Sequence, residues 1–246
     1  MIGSKKIVIA HRGYSSRYPE NTMIAFAKAL GVADMIELDV TLTRDRLPVV
    51  IHDETLDRTT NGHGKISGYY YSEIKDLDAG SWFAAEFASQ RIPLLDEVAR
   101  FIKLNNLELN IEIKPEALGN ISCDSVENRV LDIIFHYNIQ NKIVISSFES
   151  EFLKRIRISD KNLRLAFLMD SETGDWQNFC REMNCFFINP NESLVDRKFM
   201  QKARDAGVRV IPYTVNDRNR MEELLDLGVD GMFTNYPEML QSLIGT

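Results

Sequence analysis

The chain has 246 residues, 44% of them hydrophobic, which is enough for a large core and a length that α/β barrels commonly fill as one domain. Its 36 acidic residues outnumber 29 basic ones, for a formal net charge of −7, and this argues against a nucleic-acid partner, whose phosphate backbone is usually met by a basic surface. Any phosphate bound here is bound locally.

The N-terminal run Met1-Ile2-Gly3-Ser4-Lys5-Lys6 leads straight into a β-like segment with no apolar stretch suited to a signal peptide, and nothing approaches the ~20 apolar residues of a membrane span. No stable membrane association is expected. Cys123, Cys180 and Cys185 are odd in number and scattered, with neither metal-ligand spacing nor a disulfide framework, so they read as reduced thiols of a cytoplasmic protein.

A first strand over 6–11 ends in His11-Arg12-Gly13, and Pro19-Glu20-Asn21-Thr22 precedes a helix near 21–32, with Asn21 or Thr22 as its N-cap. A second strand over 35–40 carries Glu37 and Asp39, which share one face because side chains alternate along a strand. The run 47–52 follows after a turn too short for a parallel crossover, so it is predicted to be an antiparallel hairpin strand. With the turn centred on Arg44-Asp45-Arg46-Leu47, His52 falls opposite Asp39, a register that one residue of slippage would undo. The stretch 53–93, with Gly62-His63-Gly64, Tyr69 to Tyr71, Gly80 and Trp82-Phe83, fits no βα unit and is read as a small insertion over the C-terminal face, where βα loops build active sites. Its aromatics either contact substrate or pack the insertion onto the barrel; Tyr69, Tyr70, Tyr71 and Trp82 are the candidates for selectivity.

Further strands are predicted over 109–113, 143–147, 164–168, 185–188, 208–213 and 231–234. Helices are predicted near 94–105, 123–138, 149–158, 173–182, 195–206, 217–226 and 237–244, with Gly207 and Gly228 as helix C-caps. Eight βα units imply a closed α/β barrel of the TIM (β/α)8 class, a single domain over 1–246 with the insertion at about 53–93.

The chemistry is concentrated at strand ends. Glu37, Asp39 and Glu112 are three carboxylates on two strands, and Lys114 alone cannot neutralise them; unpaired buried carboxylates cost several kcal/mol each. One divalent cation resolves the imbalance, and hard oxygen ligands suit Mg²⁺ or Ca²⁺. His11 and His52 are left for proton transfer. Arg12 offers paired planar donors to phosphoryl oxygens, Lys114 reaches phosphate or a ligand carboxylate, and Phe148, at the end of its strand, either lines the pocket or covers the core. This combination describes a metal-assisted phosphodiester hydrolase.

The chain resembles the bacterial glycerophosphodiester phosphodiesterases. The resemblance is carried by His11-Arg12-Gly13, Pro19-Glu20-Asn21-Thr22, Ile36-Glu37-Leu38-Asp39-Val40, Val50-Ile51-His52-Asp53, Leu56-Asp57-Arg58-Thr59-Thr60-Asn61-Gly62, Ile92-Pro93-Leu94-Leu95-Asp96-Glu97, Ile111-Glu112-Ile113-Lys114 and Tyr213-Thr214-Val215-Asn216. It implies a TIM-barrel enzyme with His11 and His52 as acid and base, a metal on Glu37, Asp39 and Glu112, and a small glycerophosphodiester substrate. Two departures stand out. Thr234-Asn235-Tyr236-Pro237 has asparagine where the family often has an acid, and Tyr213 replaces a common tryptophan in the substrate pocket. Two rival readings are a phospholipase D-like enzyme acting on lysophospholipids, which would need an apolar groove facing a membrane, and a non-catalytic phosphate-ester binding protein on the same barrel. Leaving-group preference, the choice of cation, the division of roles between the histidines, the nucleophile and the oligomeric state are not legible in the sequence.

Overall fold

The computed structural model describes residues 5–114, 125–172 and 174–245. Cys123 lies outside them. The strands are β1 (Ile7–Ala10), β2 (Met35–Leu42), β3 (Pro48–Val50), β4 (Glu108–Ile113), β5 (Ile143–Ser147), β6 (Arg164–Met169), β7 (Phe187–Pro190), β8 (Arg209–Val210) and β9 (Gly231–Thr234). They line up as β8-β7-β6-β5-β4-β2-β1-β9, all parallel, with β3 attached antiparallel to β2. Backbone hydrogen bonds close the remaining gap, from Asp230 N–H to Val210 O (2.8 Å), Phe233 N–H to Pro212 O (3.0 Å) and Val215 N–H to Phe233 O (2.9 Å). The predicted eight-stranded α/β barrel is the observed fold. Regular pairing in β8 stops short of the expected 208–213, although Tyr213 N–H still bonds Pro190 O at 3.0 Å; Pro212 has no N–H to offer the ladder.

Helices α1 (Met23–Lys28), α3 (Leu95–Leu104), α4 (Val126–Tyr137), α5 (Ser150–Ser159), α6 (Trp176–Glu182), α7 (Arg197–Ala206), α8 (Arg218–Leu227) and α9 (Pro237–Ile244) surround the barrel, and a short α2 (Tyr71–Ile74) lies in the insertion. Their starts and stops follow local chemistry. The carboxylates of Asp175, Asp196 and Asp217 accept from backbone N–H groups of the first turns of α6, α7 and α8, caps worth about 1 kcal/mol each. Gly207 and Gly228 end α7 and α8 in the left-handed conformation, as expected.

Strand alternation divides the core into shells. Leu38, Val40, Leu109, Ile111 and Ile113 face the helices, whereas Ile9, Met35, Val144, Ala166, Phe187, Ile211 and Phe233 fill the barrel interior. Farther along the inward faces of the same strands the apolar layer gives way to His11, Glu37, Asp39 and Glu112. The period of two that buries Met35 therefore also turns the acids inward at the barrel's C-terminal mouth.

The hairpin differs from its predicted register. Val40 pairs with Val50, Thr41 with Val49 and Leu42 with Pro48, and Ile51 N–H donates to Asp39 O at 3.1 Å. Ile51, not His52, stands opposite Asp39. The cause is the turn: Thr43 and Leu47 still bond across it, leaving a three-residue loop, Arg44-Asp45-Arg46, in which Arg46 is left-handed (φ 63°). His52 lies just beyond the strand, and its charge still helps to hold the Asp39 carboxyl down.

Beyond His52 the insertion has its own small core of Leu56, Ile66, Ile74, Ala79 and Ile92, joined to Val49 and Ile51 of the hairpin. A run of edge-to-face aromatics, Tyr14, Tyr18, Phe87, Phe83 and Trp82, with centroids 5.7–5.8 Å apart, fastens it to the loop after β1.

Candidate active site

Asp39 and Glu112 are register partners on β2 and β4, and Glu37 lies two residues before Asp39. One carboxylate oxygen from each lies within 4.8 Å of the others. Burial and the neighbouring charges of Asp39 and Glu112 push the Glu37 carboxyl well above the ordinary carboxylate range, and burial together with Asp39 pushes Glu112 up to about 7. Burial acts on Asp39 in the same sense, but Arg12, Lys114, His52 and the Asn21 amide outweigh it and hold its carboxyl low. Glu37 Oε1 and Asp39 Oδ1 are buried and accept no hydrogen bond. Buried lone pairs without donors, on hard oxygens held close together, are what a divalent cation satisfies. The residues fit such an ion.

Two cations flank the acids. Lys114 Nζ donates to Glu112 Oε1 at 2.9 Å and lies 3.6 Å from Asp39 Oδ1. Arg12 donates its backbone N–H to Glu37 Oε2 (2.8 Å) and its Nη1–H to Glu20 Oε1 (2.8 Å), with Nε 3.4 Å from Asp39 Oδ2. That geometry depends on consecutive left-handed residues, Arg12 (φ 56°) and Gly13 (φ 79°), which turn the chain back sharply after β1. A Cβ at Gly13 would stand 2.8 Å from the Ala25 backbone, so only glycine lets the turn sit against α1.

His11 Nδ1–H donates to Asn235 Oδ1 at 2.8 Å, leaving Nε2 facing Glu37 Oε2 at 4.0 Å. Burial and the Arg12 charge push the imidazole down to about 4. Asn216 Oδ1 in turn accepts the Asn235 backbone N–H at 2.9 Å, so Thr214-Val215-Asn216 supports the histidine through its partner. His52 Nδ1 bonds Asp53 Oδ1 at 2.6 Å; a carboxylate only accepts, so Nδ1 carries the proton and Nε2 is the free nitrogen.

The structure thus brings His11, His52, Arg12, Glu37, Asp39, Glu112 and Lys114 together at one mouth of the barrel. Phe148 and Tyr213 also meet, rings 5.8 Å apart and perpendicular; the Tyr213 hydroxyl donates to Asp170 Oδ1 at 2.6 Å, near enough to Glu112 for that charge to raise the phenol further. The insertion aromatics have partners within the protein: Tyr71 reaches Ile92 O, Tyr69 reaches His63 O, Trp82 reaches Ala79 O, and Tyr70 lies under Arg44. A recess of about 890 Å³ among Lys5, Asp34, Glu108 and Lys142 opens at the opposite end of the barrel, away from this chemistry.

Several residues matter more than their sequence reading suggested. Thr22 is the N-cap of α1, while Asn21, left-handed at φ 55°, donates its amide to Asp39 Oδ2 at 2.8 Å. Asp53, Arg58 and Glu20 form a charge ladder behind His52. The available signal was an asparagine placed just before a helix and a carboxylate directly following a histidine; Arg58 is too distant in sequence from Glu20 to have been paired with it.

A family profile described as the glycerophosphoryl diester phosphodiesterase family matches residues 11–239. A glycerophosphodiester phosphodiesterase of Caldanaerobacter subterraneus is 38% identical over 241 residues, covering 98% of both chains. One of Bacillus altitudinis is 37% identical over 235 residues, covering 94% of this chain and 95% of its own. Among solved structures, an Oleispira antarctica phosphodiesterase in complex with the product sn-glycerol-3-phosphate matches with a TM-score of 0.89 at 29% identity, covering 99% of this chain and 98% of that one. A glycerophosphodiester phosphodiesterase of Agrobacterium tumefaciens gives 0.82 at 28% identity, covering 97% and 100%. No helix among the described residues is long and apolar enough to cross a membrane. With the profile matched over most of its length and 38% identity to a relative over nearly all of it, the chain belongs to the glycerophosphodiester phosphodiesterase family of hydrolases.

Proposed function

We propose that the protein hydrolyses a glycerophosphodiester to glycerol 3-phosphate and an alcohol such as choline or ethanolamine, with one divalent cation, Mg²⁺ or Ca²⁺, held by Glu37, Asp39 and Glu112. The observation that carries this reading is the three-carboxylate cluster in which buried Glu37 and Asp39 each keep an unsatisfied oxygen, flanked by two histidines whose Nδ1 atoms are both engaged. When bound, the cation supplies electrostatic stabilisation of the charge that develops on the phosphoryl oxygens. Arg12 and Lys114 add positive charge at the same place and orient the phosphate.

The histidines differ in their partners, and that difference supports a division of labour. His11 faces a neutral amide, which gives an imidazolium little support, so its unprotonated Nε2 takes the proton from the nucleophile. His52 bonds a carboxylate through Nδ1, which fixes the tautomer and orientation of its ring, and in this division of labour its Nε2 hands the proton to the leaving alkoxide. A bond from the nucleophile oxygen to phosphorus forms as the bond to the leaving alcohol breaks. Water and the glycerol 2-hydroxyl both suit His11; the latter leads through a cyclic phosphate. Phe148 and Tyr213 form an aromatic wall for the organic part of the substrate.

The test is release of glycerol 3-phosphate from glycerophosphocholine by chelator-treated protein, with Mg²⁺, Ca²⁺ or Mn²⁺ added back in turn. Restoration by a cation, and its loss in both His11→Ala and His52→Ala with the fold retained, is the expected result. Near wild-type turnover in either variant would remove that histidine from the mechanism.

A further inference from the structure

We propose that Arg58 is the positioning residue for His52, acting through Asp53 and anchored on the barrel by Glu20. This rests on the reading of His52 as a proton donor. Arg58 belongs to the insertion, yet its one guanidinium grips two carboxylates on two edges. Nε and Nη2 hold Asp53 Oδ2 and Oδ1 at 2.7 and 3.0 Å, while Nη1 and Nη2 hold Glu20 Oε2 and Oε1 at 2.9 and 2.8 Å. Asp53 Oδ1 also bonds His52 Nδ1, and Glu20 Oε1 also accepts from Arg12 Nη1.

The result is an unbroken alternation of charge, His52, Asp53, Arg58, Glu20, Arg12, Asp39, from the insertion to the acid cluster. The links come from separate parts of the chain: His52 and Asp53 follow the hairpin, Arg58 lies in the insertion, Arg12 and Glu20 in the loop after β1, and Asp39 on β2. His52 lies two residues past Val50, the last ladder residue of the three-residue β3, so the ladder does not itself fix its side chain. Asp53 fixes its tautomer, but Asp53 is itself part-exposed and needs a fixed reference. A bidentate fork is the side-chain contact that fixes a carboxylate in both distance and plane, and Glu20, with only 14% of its side chain exposed, ties that fork to the loop that also carries Arg12. The histidine and the phosphate-facing arginine are thereby set against one reference, and a misplacement of about 1 Å at such a group costs on the order of 10²-fold in rate.

Arg58 is 44% exposed at its side chain, so its loss should leave the fold standing. The experiment compares wild type, Arg58→Ala, Arg58→Lys, His52→Ala and the Arg58→Ala/His52→Ala double variant on glycerophosphocholine with cation supplied, alongside thermal melts. Expected are a fall in kcat of roughly 10- to 100-fold in Arg58→Ala with KM changed only a few-fold, no recovery in Arg58→Lys, partial recovery of Arg58→Ala by millimolar guanidinium ion, and little further loss when Arg58→Ala is added to His52→Ala. Near wild-type kcat in Arg58→Ala would overturn the proposal, as would equal losses in the wild-type and His52→Ala backgrounds. Full activity in His52→Ala would instead show that the histidine reading itself is wrong, independently of Arg58.

Discussion

Replacing Glu112 by Gln should make the cation-free protein more stable, although it removes a residue from the candidate site. Burial and the Asp39 charge push this carboxyl up to about 7 in the folded chain, against an ordinary value near 4.3 once unfolded. Between those limits the folded protein holds a proton that the unfolded chain has released, so stability falls as pH rises through the window and the whole cost is present above about pH 7. The shift corresponds to roughly 3–4 kcal/mol. That figure already contains the opposing attraction of Lys114, and with 12% of the side chain exposed, solvent screening reduces it little. Gln keeps the shape without the charge. Chelator-treated Glu112→Gln should therefore exceed wild type by roughly 3–4 kcal/mol near pH 8, or roughly 6–16 °C in Tm for a chain of this size, with the gap closing near pH 4. Added Mg²⁺ or Ca²⁺ should raise the wild-type Tm and reverse the order, because binding to the folded state alone stabilises by mass action. Urea or calorimetric unfolding at acidic, neutral and mildly basic pH, with chelator and with cation, reads all of this. A Glu112→Gln protein less stable than wild type near pH 8 without cation would show that Arg12 and Lys114 already compensate the three acids, and the argument for an ion would fall.

Asn21→Gly keeps the left-handed backbone but deletes the amide on Asp39; cation affinity by titration calorimetry should drop about 10-fold, and unchanged affinity would show that Asp39 needs no support. Asn235→Asp places a carboxylate 2.8 Å from His11 Nδ1, which favours the imidazolium and should raise the His11 value from about 4 by roughly 1–3 units. The acidic limb of the kcat/KM profile then moves to higher pH; an unmoved limb would exclude His11 as the base. Gly13→Ala and Gly207→Ala share a positive φ but not a setting: the first drives a methyl into the Ala25 backbone and should prevent stable folding, while the second meets nothing within 4 Å and should cost only about 1 kcal/mol in urea melts. Similar losses in both would refute the packing argument.

The sequence by itself determined the strands, the helices and the inward-facing acids, because these follow from local periodicity: a period of two places Glu37 and Asp39 on Met35's face, and a glycine after a helix ends it. It also marked both histidines, Arg12 and Lys114, since charge at the end of an apolar run is visible without knowing its neighbours. Only the tertiary structure decided the hairpin register, where the left-handed Arg46 removed one residue from the expected turn and put Ile51 in the place given to His52. The aromatic stretch of the insertion was ambiguous between substrate contact and packing, and only the fold shows that Tyr69, Tyr71 and Trp82 each spend their polar atom on a backbone oxygen. Asn21 under Asp39, Asn235 under His11 and Arg58 between Asp53 and Glu20 likewise had no local signature. Each is a polar side chain whose partner lies elsewhere in the chain, and such pairings arise only when the barrel closes and brings β1, β2 and β9 side by side.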